Sequence, residues 1–371
     1  MVTSEPQSQY YVDPSINANT GSGTVGDPWG DLQHALDNIT RDSTNGDQIN
    51  IKAGTDEVLA ANIDLTSYGT PSASVPLYFR GYTSAAGDGG IGSIDLGSYQ
   101  VMNNGMISMV DMHFKNGSHA QAIYPGAYMH IINCKFTGFT GSYPLRTSTY
   151  VKVIGCTFED NASSTRNLFC SNYNMVSSCR FKDTPAAEHV YLGLGGKIHN
   201  CLFEHNSTSS ADYCIQVGSV GTAVIGCTFY SSVAAQGHGI YCANSNQYGI
   251  FIANNLFEGF SGTGGSGIDI NGLTHAYLYN NKFYNCTSNI AGSGGYVVDE
   301  DNSSLASSPF TNAGSGDFTV DTQVKAAGFP AYVGGSQITT TPTYIDVGAA
   351  QRQEPAGGGS TVIIARPKRL L

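Results

Sequence analysis

The 371 residues predict an all-β chain, a right-handed parallel β-helix (solenoid) with an N-terminal capping helix and an irregular C-terminal cap. A signature, aliphatic-x-x-Cys/Asn-x-Phe, recurs along the middle of the chain, and a second apolar column keeps step with it. The composition agrees. With 46 Gly, only 12% charged residues and abundant Ser, Thr and Asn, it suits short strands joined by tight turns rather than helices or charged disorder.

Ahead of the repeat, Leu32, Ala35, Leu36 and Ile39 recur at helical spacing. Asp27 and Pro28 are the expected N-cap and first helical residue. This helix should plug the open end of the core, so residues 1–45 form an N-terminal strand and cap. GDQINIKAGT then reads as a first strand. VPLYFRGYTSAAGDGGIGSIDL reads as strand, loop and strand.

The β-helix proper is expected over 46–290. Its Phe column is Phe114, Phe136, Phe158, Phe181, Phe203, Phe229, Phe257 and Phe283, at steps of 22, 22, 23, 22, 26, 28 and 26. Five residues before each lies Met109, Ile131, Val153, Val176, Ile198, Val224, Ile252 or Leu278. Two before each of the last seven lies Cys134, Cys156, Cys179, Cys201, Cys227, Asn255 or Asn281. The second apolar column reads Ile123, Leu145, Leu168, Val190, Tyr213, Ile240 and Ile268. Its gap to the next aliphatic residue is 8 four times, then 11, 12 and 10. A unit of ~22 residues cannot bury its own apolar face, but stacked units share a continuous core with strands ~4.8 Å apart. The Cys/Asn column marks a corner, because Asn tolerates unusual φ/ψ and Cys packs as a small apolar residue. One Cys per coil in a single row suggests reduced packing residues rather than a metal set or disulfides, and a reducing birthplace.

From Asn285 the Phe signature is lost, and residues 291–355 are expected to cap the C-terminal end. AGGGS is a flexible linker by composition. It leads into TVIIARPKRLL, whose short apolar run precedes Arg366, Lys368 and Arg369. Residues 356–371 are the expected anchor to a partner, the run adding a strand to a sheet edge.

Net charge is −11, which argues against nucleic acid as a partner. No run is long enough to span a bilayer, and the N-terminus lacks the basic start and apolar core of a secretory signal. Chemistry would sit on outward strand faces. Two columns flank the second apolar column. One holds Ala122, Pro144, Asn167, His189, Asp212, Gly239 and Gly267, with His189 and Asp212 as a candidate polar pair. The other holds Tyr124, Arg146, Phe169, Tyr191, Cys214, Tyr241 and Asp269. Its aromatic members suit sugar faces, a subunit contact or plain cross-strand stacking. Glycoside hydrolysis needs two carboxyls ~5–9.5 Å apart, whereas Asp212 and Asp269 should lie on the order of 12 Å apart by strand spacings. Gly237-His238-Gly239 matches one short polygalacturonase motif, and the companion motifs are missing.

YYVDP, DLQHALDNI, GDQINIKAGT, PLYFRGYTSAAGDGG, SSPF, GDFTV and YIDVGAAQ together resemble right-handed β-helix repeat proteins of the pectate-lyase-like superfamily. The resemblance is greatest to uncharacterised members from bacteriophages and environmental bacteria, and covers roughly residues 10–352. It implies the fold. The same fold hosts lyases, hydrolases, binders and passive spikes. The first expectation is a virion structural protein of a bacteriophage: a spike, tail or capsid-decoration β-helix made in the host cytoplasm. It would join other virion proteins through its tail, touch host glycans and self-associate, without cofactor or metal. The alternatives are a polysaccharide depolymerase on the same fold and a non-viral bacterial carbohydrate-binding surface protein.

Overall fold

The computed structural model describes residues 8–320 and 324, leaving aside 17–18, 64, 66–67, 70, 73–74, 103–106, 163–164, 183–187, 207–211, 243–246, 272, 274 and 294. Two compact units divide the chain, Met1–Asn174 and Met175–Leu371. Each is a parallel β-helix whose coils contribute one strand to each of three sheets, with the right-handed crossover that strand twist favours.

In the first unit, sheet one contains Ser8–Val12, Asp47–Lys52, Leu77–Tyr82, Ile107–Val110, His130–Ile132 and Lys152–Ile154. Sheet two contains Asp56–Val58, Gly92–Asp95, Met112–Lys115, Lys135–Thr137 and Thr157–Glu159. Sheet three contains Val101–Met102, Gln121–Tyr124, Tyr143–Thr147 and Arg166–Cys170. In the second unit, sheet one runs from Met175–Ser177 to Tyr296–Glu300, sheet two from Arg180–Lys182 to Ser303–Ser304, and sheet three from Glu188–Leu192 to Ser288–Ala291.

The aliphatic and Phe columns lie where their period puts them. Ile131 pairs with Met109 and Val153, and Phe136 with Phe114 and Phe158. In the second unit Phe181, Phe203, Phe229, Phe257 and Phe283 are fully buried and stack ring on ring at 4.6–5.0 Å. Each such side chain contributes about 1.5–3 kcal/mol by burial. Val190 and Ile198 are fully buried as well.

The corner between sheets one and two turns on a single left-handed residue. This is Asp111, Asn133 or Gly155 in the first unit, and Ser178, Asn200, Gly226, Asn254, Asn280 or Asp301 in the second. The turning residue therefore stands one position before the Cys/Asn column assigned to it from the sequence. Gly, Asn and Asp populate that region at least cost. The Cys/Asn column instead points inward, as a row of buried free thiols at Cys134 and Cys156 and again at Cys179, Cys201 and Cys227. The Cys179 amide donates to Cys201 Sγ at 3.4 Å. Asn255 and Asn281 continue the row as a hydrogen-bonded ladder. Asn255 Oδ1 accepts from the Cys227 amide (2.9 Å), Asn255 Nδ2 donates to Asn281 Oδ1 (3.0 Å), and Asn281 Nδ2 donates to Asn302 Oδ1 (2.8 Å). Through Asn302 the parallel pairing runs on past residue 290 to Ser303–Ser304, without needing a Phe.

The capping helix is Leu32–Asn38, with Leu32, Ala35 and Leu36 buried. Its N-cap is Asp31, which accepts from the His34 amide at 2.6 Å, and not Asp27. Asp27 closes the preceding turn by accepting from the Ser22 amide at 2.8 Å. At the other end, Phe310–Asn312 and Asp317–Val320 form an antiparallel pair. Phe310, Ala313, Val320 and Val324 cluster on Leu256, with Tyr230 and Phe318 packed against them. Thus the described part of the cap leans on the outer side of sheet two. The tail with Arg366, Lys368 and Arg369 lies outside the described residues.

Candidate functional site

Sheet three carries a row of outward aromatic and charged side chains, and its strands do not alternate strictly. In Tyr143–Thr147, Arg166–Cys170, Glu188–Leu192, Tyr213–Val217 and His238–Cys242 the first and fourth residues face out, while the second, third and fifth are buried. Two consecutive inward residues correct the sequence reading twice. First, the column with Ala122, Asn167 and His189 is buried, because strict alternation had turned the second residue outward. His189 is fully buried, so it lies in the interior and not on the outward column given to it. Asp212 precedes its strand and is itself 7% exposed. Second, Val190 pairs with Ile215 and Ile215 with Ile240, so Ile215 holds the apolar place given to Tyr213. The outward member of that coil is Gln216, and Cys214 is buried.

With that register, the second predicted column is outward. In the first unit, Tyr124, Arg146 and Phe169 come together. The Arg146 guanidinium lies over both rings, 5.2 Å from each centroid. Arg166 lies 5.8 Å over Phe169, and Tyr143 meets Phe169 edge-on at 5.6 Å. Arg146 Nε has no hydrogen-bond partner among the described residues. A planar cation held between rings keeps its donor fork in one orientation, the geometry that matches a carboxylate.

In the second unit, Tyr191, Gln216, Tyr241 and Asp269 share the column. Tyr191 lies across Gly218, where a Cβ would fall 2.1 Å from its hydroxyl. Tyr213, His238 and Tyr241 form a stack, with centroids 4.3 Å apart for the two tyrosines and 5.6–5.7 Å to the imidazole. His238 Nε2 stands 3.4 Å from an Asp269 carboxylate oxygen, and Nδ1 is 2.7 Å from Ser266 Oγ. Burial pushes the imidazole pKa down, and the Asp269 charge pulls it partly back.

Sequence reading missed Tyr143 and Arg166, which sit at the first position of their strands, placed Tyr213 of the same position in the apolar column, and weighed His238 only within the Gly-His-Gly motif. It also missed a ladder of exposed tyrosines in the first unit. Tyr128, Tyr150 and Tyr173 stack at 5.1 Å spacing, each at positive φ. Their recurrence at 22 and 23 residues was the available signal. Sheet two offers a different surface, with ion pairs Lys115–Asp56 and Lys135–Glu159 in the first unit and Arg180–Glu204 in the second.

The sequence profile of the right-handed β-helix region matches residues 99–217 and 213–346, most of the chain. The chain belongs to the right-handed β-helix family. Solved structures of similar fold include the pectate lyase Pel9A, at 14% identity and TM-score 0.54, covering 95% of this chain and 98% of that one. A family 6 polysaccharide lyase from Pseudopedobacter saltans is 18% identical with TM-score 0.52, covering 76% of this chain and 64% of that one. A mannuronic-acid-specific family 6 lyase from human gut microbiota is 15% identical with TM-score 0.51, covering 76% and 65%. No curated protein matches in sequence. At these identities the shared property is the fold.

Proposed function

We propose that this β-helix protein binds an acidic polysaccharide on the outward face of sheet three in its first unit. The observation that carries the reading is Arg146, its guanidinium held between the rings of Tyr124 and Phe169, with Arg166 over the same Phe169 ring. Rings offer flat faces to sugar C–H surfaces, and Arg146 with Arg166 supplies positive charge for a uronate carboxylate. The proteins of similar fold include lyases of pectate and of mannuronic acid polymers, which supports the substrate class.

The test is affinity electrophoresis or calorimetry with polygalacturonate, alginate and a neutral glucan. Binding should favour the polyuronates and weaken with salt. Arg146→Ala should lower affinity tenfold or more, since a charge-assisted hydrogen bond contributes about 1.5–3 kcal/mol. Arg146→Lys should fall between, because it keeps charge but loses the stacked plane. Equal binding by wild type and Arg146→Ala would sink the reading.

A second reading rests on His238, Asp269 and Tyr241. A neutral imidazole oriented by a carboxylate is the arrangement of a general base, so the second unit's face would make the protein a depolymerase. Appearance of unsaturated or reducing ends in the same incubations, lost in His238→Ala, would favour it.

For the setting of this activity we propose a virion, with residues 356–371 joining the chain to other virion proteins and the glycan on a host surface. Support comes from the tail's sequence: a Gly-rich stretch, an apolar run and three basic residues that complement an acidic neighbour, another copy of this chain included. Deleting 356–371 should leave the folded signal intact and abolish incorporation into the particle. Normal incorporation of the truncated chain would refute the anchor.

A further inference from the structure

The interior of the second unit holds a group of side chains that packing alone does not explain. His189 and Cys214 occupy the same register place on adjacent strands of sheet three, since Glu188 pairs with Tyr213 and Val190 with Ile215. Both face inward and are fully buried. His205 comes to them from the far end of sheet two. It stands two residues beyond Phe203, where Asn285 and Gly259 in later coils adopt positive φ; His205 does not, and it is fully buried. The ligand atoms of His189, His205 and Cys214 lie within 4.8 Å of one another. Neither ring nitrogen of His205 has a hydrogen-bond partner among the described residues.

We propose that His189, His205 and Cys214 form a buried site for one thiophilic d10 metal ion, copper(I) or zinc(II). Metal–nitrogen bonds of about 2.0–2.1 Å and a metal–sulfur bond of about 2.3 Å place ligand atoms roughly 3.5–3.8 Å apart. The three groups therefore need to close on the ion by no more than about 1 Å. Thiolate with imidazole is the donor set that selects these ions over calcium or magnesium. The surroundings are apolar: His189 lies about 6 Å from the rings of Phe181 and Phe203, and His205 stacks on Phe260 at 6.2 Å. Both imidazoles are held neutral by burial, the form that binds a metal. The Cys214 thiol gives its proton to solvent as the S–metal bond forms, and no electron is transferred. Copper(I) and the thiolate together carry no net charge, which suits an apolar site. Zinc(II) leaves one positive charge, which the Asp212 carboxylate that already acts on Cys214 can offset. An ion also relieves one of the two orphaned His205 nitrogens, each an uncompensated buried polar atom otherwise.

Because the site is closed, the metal enters as the chain folds. The experiment uses the full chain, purified from cells supplied with zinc or copper, and also refolded under reducing conditions with each metal. Elemental analysis should find about one ion per chain, and competition against chelators of known affinity should show which ion is held more tightly. Cobalt(II) refolding should give a thiolate-to-cobalt charge-transfer band. Cys214→Ala should fold, since the same column carries Gly239 on the next coil, yet lose at least tenfold in occupancy and lose the cobalt band. His205→Gln should do the same, while Cys242→Ala should keep both. Wild type that holds neither metal by either route, or metal retained in Cys214→Ala and His205→Gln, would overturn the proposal.

Discussion

Tyr128, Tyr150 and Tyr173 show how one backbone position is used in two ways. The corner after sheet three turns on a left-handed residue, and in the second unit that residue is Gly195, Gly221 or Gly249. In the first unit it is a tyrosine each time, at φ of 64°, 61° and 55°. A left-handed L-residue costs roughly 1–2 kcal/mol. Ring stacking returns about 0.5–1.5 kcal/mol per pair, and Tyr150 has a ring on each side. The two effects nearly cancel, and a glycine there would add unfolded-chain entropy. Tyr150→Gly is therefore expected to change unfolding free energy by no more than about 1 kcal/mol in denaturant titration. A loss of several kcal/mol would mean that the ladder is a main stabiliser of the coil. A near-neutral result fits rings kept for contact with something outside the chain.

At the scale of the element, the inward Cys/Asn column joins one coil to the next. Asn255 accepts from the Cys227 amide and donates to the Val224 carbonyl at 3.0 Å and to Asn281. Cysteine does part of this, since Cys201 Sγ accepts from the Cys179 amide. Asn255→Ala leaves a buried amide and a buried carbonyl unmatched, at about 1–3 kcal/mol each. Asn255→Cys restores a weak acceptor. The expected order of melting temperatures is wild type, then Cys, then Ala; Ala equal to wild type would show that the ladder contributes nothing. This column, the Phe column and the aliphatic column were legible in sequence because each draws on a narrow residue class and all three keep a fixed spacing to one another in every coil. The outward face was legible only in part. Tyr124, Arg146, Phe169, Tyr191, Tyr241 and Asp269 came out correctly, since they follow the buried residue directly. His189 did not, because sheet three strands bury two residues in succession and nothing local in EHVYL announces it. The slip at Tyr213 has the same origin: in DYCIQV both Tyr213 and Ile215 fit an apolar column, and only pairing with Val190 and Ile240 decides.

At the scale of the whole molecule, buried histidines set the response to acid. Burial pushes the His199 imidazole down to about 4, with Lys197 adding to the effect. His113 is also pushed down to about 4, by burial first and then by Lys115 and Lys135. His130 is lowered by burial and by Lys152. These pKa values lie below the unfolded value near 6.5, so the unfolded chain takes up protons first. The stability these groups contribute is complete above about pH 6.5 and is lost as pH falls from there toward 4. For His199 the full loss is about 3 kcal/mol, at roughly 1.4 kcal/mol per pH unit. His113 is more open to solvent and contributes less. Glu57 works in the opposite sense. Burial raises its carboxyl to about 7, so the folded state binds that proton first and gains as pH falls. Asp47 and Glu258 are raised by burial in the same way, but against these three carboxyls stand six lowered histidines among the described residues, which leaves a net loss. Denaturant titrations between pH 7.5 and 4.5 should therefore show a midpoint that drops steadily below pH 6.5. His199→Gln should flatten that slope by about one proton's worth while leaving the neutral-pH arm unchanged in shape. A wild-type midpoint that stays level down to pH 4.5 would mean that these imidazoles are protonated in the folded chain, and hence that the coils around them admit water.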